Sequence, residues 1–327
     1  MIGRRELLTG TAVASGVLLA DMAEAMNPNQ RLVLMAEGAC KSASGSWTRP
    51  ADWPQLPSLA AQEFAGLYAV YNDGSNFIAL SASGNYTVDW GDGSATVNYS
   101  AGATALYNYS YSASGLGPLT SEGYKTAIVK VTPQAGQNLT AFSLQVKHTQ
   151  SGLGAYRPPW LDVTINGANL TSIAIGGGTM TLGLLQRATI VTTGTITNFN
   201  SMFYACYSLQ SVPLFNTAAG TNFASMFQGC YSLQSVPLFN TAAGTTFSTM
   251  FNSCTSLGLA TLSGTTYTIS YSGCKLANTE LIAILNALGT AAGAQTVTIS
   301  GNWGDDGSGP LLTAIAAAVT KGWTVAS

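Results

Sequence analysis

The segment from Cys206 to Thr221 recurs without change from Cys230 to Thr245, so the chain repeats itself at the step from Cys206 to Cys230. The block before it recurs at the same step. Phe199-Asn200-Ser201-Met202-Phe203 returns as Phe223-Ala224-Ser225-Met226-Phe227 and again as Phe247-Ser248-Thr249-Met250-Phe251. A degenerate copy ends at Cys274, after a shorter step from Cys254. No other feature constrains the fold as tightly. One such unit is too small to bury its own apolar face, so units of fixed period must stack and shelter one another.

The register predicts what meets what. Phe223, Met226, Phe227, Cys230 and Leu233 fall three or four positions apart, the spacing of one face of a short helix. Val236, Leu238 and the following Asn240-Thr241 fit a short strand and a turn. Stacking like units sets Phe on Phe, Met on Met and Cys on Cys, and each fully buried Leu or Phe contributes roughly 1.5–3 kcal/mol.

Three further ladders follow from the same period: Tyr207 with Tyr231, Gln210 with Gln234, and Phe215 with Phe239. The Phe pair is expected in the core. The Tyr and Gln pairs are the candidate binding residues, as aromatic plates and amide partners where they reach the surface; the alternative is that the Tyr pair only covers the core.

The pattern Met-Phe-x-x-Cys-x-Ser-Leu, then a Pro-containing strand and Asn-Thr, resembles the BspA-type leucine-rich repeats of bacterial surface proteins. The resemblance covers about a third of the chain. It implies a parallel-stranded repeat solenoid over 151–275, a surface-binding role and no catalytic residue.

Ahead of the repeats, residues 61–150 read as short strands with turns: 64–71, 76–81, 86–90, 127–131 and 142–146, with Tyr107, Tyr109 and Tyr111 alternating. That spacing argues for a β-sandwich. Val88-Asp89-Trp90-Gly91-Asp92-Gly93-Ser94 resembles the hairpin of PKD-type Ig-like domains. The resemblance implies a structural turn, with Asp89 and Asp92 bonded to backbone amides and Gly91 and Gly93 at positive φ. Calcium at the two aspartates is the alternative, disfavoured because calcium takes six or more oxygens.

After the repeats, 276–327 alternates helix and strand (280–288, 295–300, 311–319, 322–325), as a cap that covers the last repeat. The predicted class is therefore mainly β: an Ig-like, PKD-like sandwich, a short leucine-rich-repeat-like solenoid and an α/β cap.

Residues 1–60 read as arm and linker. Arg4-Arg5, an apolar run over 12–20 and Ala23-Glu24-Ala25 resemble a twin-arginine export signal. The favoured alternative is an uncleaved arm that docks the chain onto a larger assembly. Trp47-Thr48-Arg49-Pro50-Ala51-Asp52-Trp53-Pro54 follows, two prolines holding it extended. It resembles a lead-in of phage tail and surface proteins, and Lys321-Gly322-Trp323-Thr324-Val325 resembles phage repeat-protein C-termini.

Composition narrows the function. Charged residues are 8% of the chain, against about 25% in an ordinary domain. Net charge is −2 and no basic run occurs, which argues against a nucleic-acid partner. No Asp or Glu lies between Asp162 and Glu280, so the repeats cannot supply the carboxylate pair of a glycosidase. His148 is the single histidine, expected at a strand end or on the surface, and no G-x-S-x-G elbow accompanies it. Gly176-Gly177-Gly178 lies in no phosphate-loop context, and Asp305-Asp306 reads as a solvated turn.

The five cysteines form no CxxC pair. No enzyme, metal or cofactor is expected. The expected function is a structural virion protein, a phage tail fibre or tail-associated adhesin. Residues 1–60 would meet other virion proteins, and the far end would meet host polysaccharide or a receptor. By the same resemblance the chain forms a homo-oligomer, a trimer by analogy with fibres. An exported bacterial adhesin and a capsid decoration protein are the rival readings.

Overall fold

The computed structural model describes residues 47–73, 76–150, 157–177, 181–192 and 196–327. The export-signal or arm reading of the N-terminus, and Cys40 with it, lies outside the described residues. The fold is mainly β, with two helices among the described residues.

β1 (Phe64–Val70) is buried along its whole length. Such a run suits a strand covered on both faces. It sits inside a six-stranded sheet ordered β10 (Arg187–Thr192), β8 (Trp160–Asn166), β1, β6 (Lys125–Pro133), β3 (Tyr86–Asp89), β4 (Val97–Tyr99). Neighbours are antiparallel except β8 and β10.

A second sheet runs β5 (Thr104–Asn108), β2 (Phe77–Ser83), β7 (Ala141–Ser143), β9 (Ser172–Ala174). Aromatic rings join the two: Phe64 stacks on Phe142 at 4.6 Å and Tyr68 on Tyr109, just after β5, at 5.4 Å; within the first sheet Trp160 meets Tyr68 edge-on at 5.2 Å. The strand alternation expected to run on through Tyr111 stops at Asn108, where Tyr109 turns into the core and donates its hydroxyl to Trp90 O at 2.7 Å.

The outer face of β1 is covered by the chain's own lead-in. Trp53 packs with Leu67, Ala69, Tyr124 and Leu161, and Trp47 and Leu56 lie at its edge. Trp53 Nε1 donates to Tyr124 OH at 2.9 Å, and Arg49 pairs with Asp162 of β8. Burial pushes the Asp162 carboxyl above its usual range despite Arg49 and Arg187 nearby. So residues 47–56, part of the stretch expected to meet other proteins, already cover this sheet.

β8, though beyond residue 150, is bonded between β1 and β10 in the sandwich sheet. β10 in turn bridges, in parallel, to Ser211 of the first repeat. Sandwich and repeats thus share one continuous core from Phe64 to Trp323, and residues 47–327 form a single compact unit. The edge that β10 would otherwise expose is covered by the repeat beside it.

The repeats lie one over another. Parallel bridges join Asn198 to Asn222, Asn222 to Thr246 and Ser235 to Leu259, each to its equivalent one unit on. At the C-terminal end β11 (Ile269–Ser270), β12 (Gln295–Thr298) and β13 (Trp323–Ala326) form a parallel sheet, with α1 (Asn278–Ala287) and α2 (Gly309–Thr320) as the crossovers. Pro310 in the first turn suits the start of α2. Lys321 Nζ donates to Asn286 O and Leu288 O at 2.8 and 2.9 Å, closing the C-terminal end of α1. No helix among the described residues is long and apolar enough to cross a membrane.

Candidate binding face

The expected short helix of the repeat is absent; residues 199–209 and their copies are consecutive turns. Phe223, Ser225, Phe227 and Gly229 donate their N–H groups to Thr246, Ser248, Met250 and Asn252 of the next unit, at 2.8–3.0 Å. Met226, Gln228 and Cys230 instead donate back to Phe223, Ser225 and Phe227 of their own unit, at 3.0–3.2 Å.

The cause is a pair of left-handed residues four positions apart in each of these units. Ser201, Ser225 and Thr249 all have φ 54°, and Ala205, Gly229 and Ser253 have 57°, 79° and 63°. Each one breaks the helical run and turns alternate amides toward the neighbouring unit. A turn closing at every fourth position has nearly the spacing of a helix, so the apolar pattern alone does not distinguish the two.

Inside, like meets like. Phe199, Phe223 and Phe247 stack at 5.3 Å per step, and Phe203, Phe227 and Phe251 at 5.4 and 6.0 Å. Phe215 lies 4.8 Å from Phe239, both buried. The thiols of Cys230 and Cys254 donate to Phe203 O and Phe227 O of the preceding unit at 3.1 Å. Burial pushes the four described thiols upward, Cys274 to about 12, so they behave as small core side chains rather than nucleophiles.

Outside, Tyr207 and Tyr231 lie 5.0 Å apart. Tyr231 is 46% exposed and Tyr207 half-buried; Gln234 is exposed and Gln210 half-buried. All four lie toward the surface, although their backbones also serve the ladder. Gln210 N donates to Gln186 O at 2.8 Å, and Gly258 N to Gln234 O at 2.9 Å.

The same register runs beyond Cys274 into the stretch read as cap. Tyr271 stacks on Phe251 at 5.3 Å, and its N–H donates to Thr298 O at 2.9 Å, as Phe227 donates to Met250. Gly273 N donates to Ser300 O at 3.4 Å, as Gly229 donates to Asn252. Gly273 and Gly301 occupy the left-handed position, with φ 75° and 76°.

Ile299 is therefore the partner of Phe251 and Tyr271, and Asn302 stands where the cysteines stand. Its amide donates to Tyr271 O and Ile299 O at 2.9 and 2.8 Å, and its oxygen accepts from Leu276 N at 3.0 Å. Sequence reasoning missed this unit. The available signal was Tyr-Ser-Gly-Cys-Lys at 271–275 against Ile-Ser-Gly-Asn-Trp at 299–303. The loss of cysteine hid it, together with a step from Cys274 to Asn302 longer than the one from Cys206 to Cys230.

On the strand side the ladder closes on a side chain at the third unit. Ala260 N would need a carbonyl from a further unit, as Val236 N takes Leu259 O at 2.9 Å. Glu280 supplies it instead: its Oε1 accepts from Ala260 N and Thr261 Oγ1, both at 2.8 Å. Burial holds the Glu280 carboxyl above its usual value.

The Trp-Gly-Asp-Gly hairpin is a folded turn. Asp89 Oδ1 accepts from Gly91 N at 2.9 Å, and Asp92 Oδ1 from Ser94 N at 3.1 Å. Tyr107 OH donates to Asp92 Oδ2 at 2.6 Å and stacks on buried Trp90 at 4.9 Å. Gly91 has φ 74°, and a Cβ there would lie 2.2 Å from Ile128 O, so only glycine fits. Gly93 has φ 86°. Burial raises the Asp92 carboxyl, but the bonds from Ser94 and Tyr107 outweigh it and leave the carboxyl below its usual range.

His148, expected at a strand end or on the surface, is buried. It stacks on Phe77 at 5.2 Å, and its Nδ1 accepts from Gln150 N at 3.1 Å. Burial lowers its basicity. The flat ring packs against the aromatic residue that opens β2, which a sequence with one histidine does not reveal. Asp306 Oδ1 is tied to Asn278 Nδ2 and Ser308 N at 2.8 and 2.9 Å. Among the described residues no three His, Cys, Asp or Glu groups gather as a metal site would require.

Residues 184–267 match the model of a family described as Mycoplasma protein of unknown function, DUF285. The match spans the first three repeat units and stops before the fourth. No curated protein and no solved structure matches the chain.

Proposed function

We propose that this chain is a non-enzymatic surface-binding protein of a virion, a phage tail fibre or tail-associated adhesin. In this reading the two-sheet part is an Ig-like domain of PKD type, and the stacked units are a leucine-rich-repeat-like solenoid. Residues 1–46 attach the chain to the particle, alone or as a homotrimer, and the array reaches the host surface. The observation that carries the reading is the outward row of Tyr207, Tyr231, Gln210 and Gln234 on a rigid ladder free of carboxylates from 163 to 279. Such a face offers hydroxyl, amide and aromatic partners and little electrostatic steering, which suits a neutral surface polymer better than a polyanion.

An exported bacterial adhesin is the second reading, favoured by Arg4-Arg5 and Ala23-Glu24-Ala25. Antibody labelling of purified particles, with mass spectrometry of the mature N-terminus, decides between them. Label on the particle and an intact N-terminus support the virion reading. Processing after Ala25, with label on cells alone, transfers the protein to the bacterial surface.

A further inference from the structure

We propose that Trp303 is the anchoring ring of a binding stripe for an uncharged polysaccharide chain, one that crosses all five units. This inference rests on the adhesin reading and extends it. The position after Cys206, Cys230, Cys254, Cys274 and Asn302 holds Tyr207, Tyr231, Thr255, Lys275 and Trp303. The register set out above makes these five equivalent. Parallel neighbours lie about 4.8 Å apart, so the four steps cover about 19 Å, the length of a short run of sugars rather than of a single one.

Trp303 is 74% exposed. A lone exposed apolar side chain is ordinary, but this one is held on both sides. Asn302 before it makes the three buried hydrogen bonds described above. Gly304 after it donates to Leu276 O at 2.9 Å and accepts from Asn278 Nδ2 at 3.1 Å. An indole on such a fixed backbone loses little freedom when a ligand stacks on it.

Lys275 Nζ lies 5.4 Å over the ring, a cation–π contact that orients the indole. Asp306 is engaged at the start of α2 by Asn278 Nδ2 and Ser308 N. Between Arg187 and Lys321 no cation other than Lys275 occurs, so a polyanion would find no phosphate- or carboxylate-binding row. The negative faces of the rings suit the C–H face of a sugar, and Gln234 and the threonine suit its hydroxyls.

The test embeds a mannan, a dextran or a β-glucan in native gels and measures retardation of the full chain. At least one is expected to retard it, with the effect unchanged between about 0.05 and 0.5 M salt, where ionic contacts would be screened. Trp303→Ala should weaken binding about tenfold or more, and Tyr231→Ala by less. Trp303 is mostly exposed, so circular dichroism and the melting temperature of Trp303→Ala should stay at the wild-type values, while Tyr231→Ala, which loses the ring contact with Tyr207, should keep the spectrum and melt slightly earlier.

No retardation by any of the three, retardation lost in salt, or a Trp303→Ala variant equal to wild type overturns the proposal. So does a Trp303-dependent dimer in sedimentation, which makes the ring a contact between copies. Attachment to host cells separates the two levels. If wild type and Trp303→Ala attach equally, the stripe fails and the adhesin reading stands. If the wild-type chain attaches to nothing, the adhesin reading itself fails.

Discussion

At the residue scale the repeat depends on backbone handedness more than on any single contact. The fourth-residue position is left-handed in every unit, yet it carries Ala205, Gly229, Ser253, Gly273 and Gly301. A side chain there costs about 1 kcal/mol over glycine. Gly229→Ala should therefore lower stability by about 1 kcal/mol in urea unfolding, although a Cβ there meets nothing closer than 3.5 Å. An unchanged midpoint would show that the strain is relieved elsewhere.

Glu280 makes a second residue-scale case. Glu280→Ala leaves the Ala260 N–H and the Thr261 hydroxyl unpartnered and should cost about 1–3 kcal/mol. Glu280→Gln keeps an acceptor. Because the folded carboxyl titrates above its ordinary 4.5, the native state holds that proton more tightly than the unfolded chain. The stabilisation is complete below pH 4.5 and is lost as pH rises through the raised value. The wild type should lose stability relative to Glu280→Gln over that window, read from denaturation midpoints at stepped pH. A parallel pH dependence of the two proteins would place the pH sensitivity on other groups.

At the element scale the unit of construction is one full repeat of the array. Its amides go to the next unit, its rings stack at 5.3–6.0 Å, and its Asn240 side chain caps its own turn through Ala242 N at 3.1 Å. Residues 206–229 and 230–253 present nearly the same two faces. Excising 206–229 in frame should thus leave a folded protein with the same circular dichroism spectrum and a lower melting temperature, since nearest-neighbour interfaces sum. Excising half a unit should abolish cooperative melting, because Phe would then face the Asn-Thr turn. A folded half-unit deletion would mean that like-on-like stacking does not set the register.

At the scale of the whole molecule the sandwich and the array share a core, and β10 belongs to both ladders. They should unfold together. In a Cys40→Ser background, the thiols of Cys206, Cys230, Cys254 and Cys274 report on the array, while tryptophan emission is weighted toward the lead-in and sandwich through Trp47, Trp53, Trp90 and Trp160. Both signals should change over one temperature range. Thiols that react well below the emission transition would make the array a separately folding domain.

The periodic part of this protein is written in its chain. Exact recurrence dictates which side chains meet, so the Phe, Met and Cys ladders were legible from the chain alone, as was the alternation of helix and strand after residue 276. The hairpin glycines were legible too, from the turn chemistry of Trp-Gly-Asp-Gly, and the approach of Ile128 O to Gly91 shows why no other residue fits.

The remaining features arise from contacts between distant parts of the chain. Turn and helix share a near-fourfold spacing, and only the direction of each N–H tells them apart. β8 looks like any apolar strand until its hydrogen bonds place it beside β1. The fifth unit is hidden because Asn302 replaces a thiol with an amide whose hydrogen bonds to Leu276 and Tyr271 are long-range, and such bonds leave no period in the chain. Trp303 becomes a member of the row only through that unit, since its place depends on contacts between residues a full unit apart.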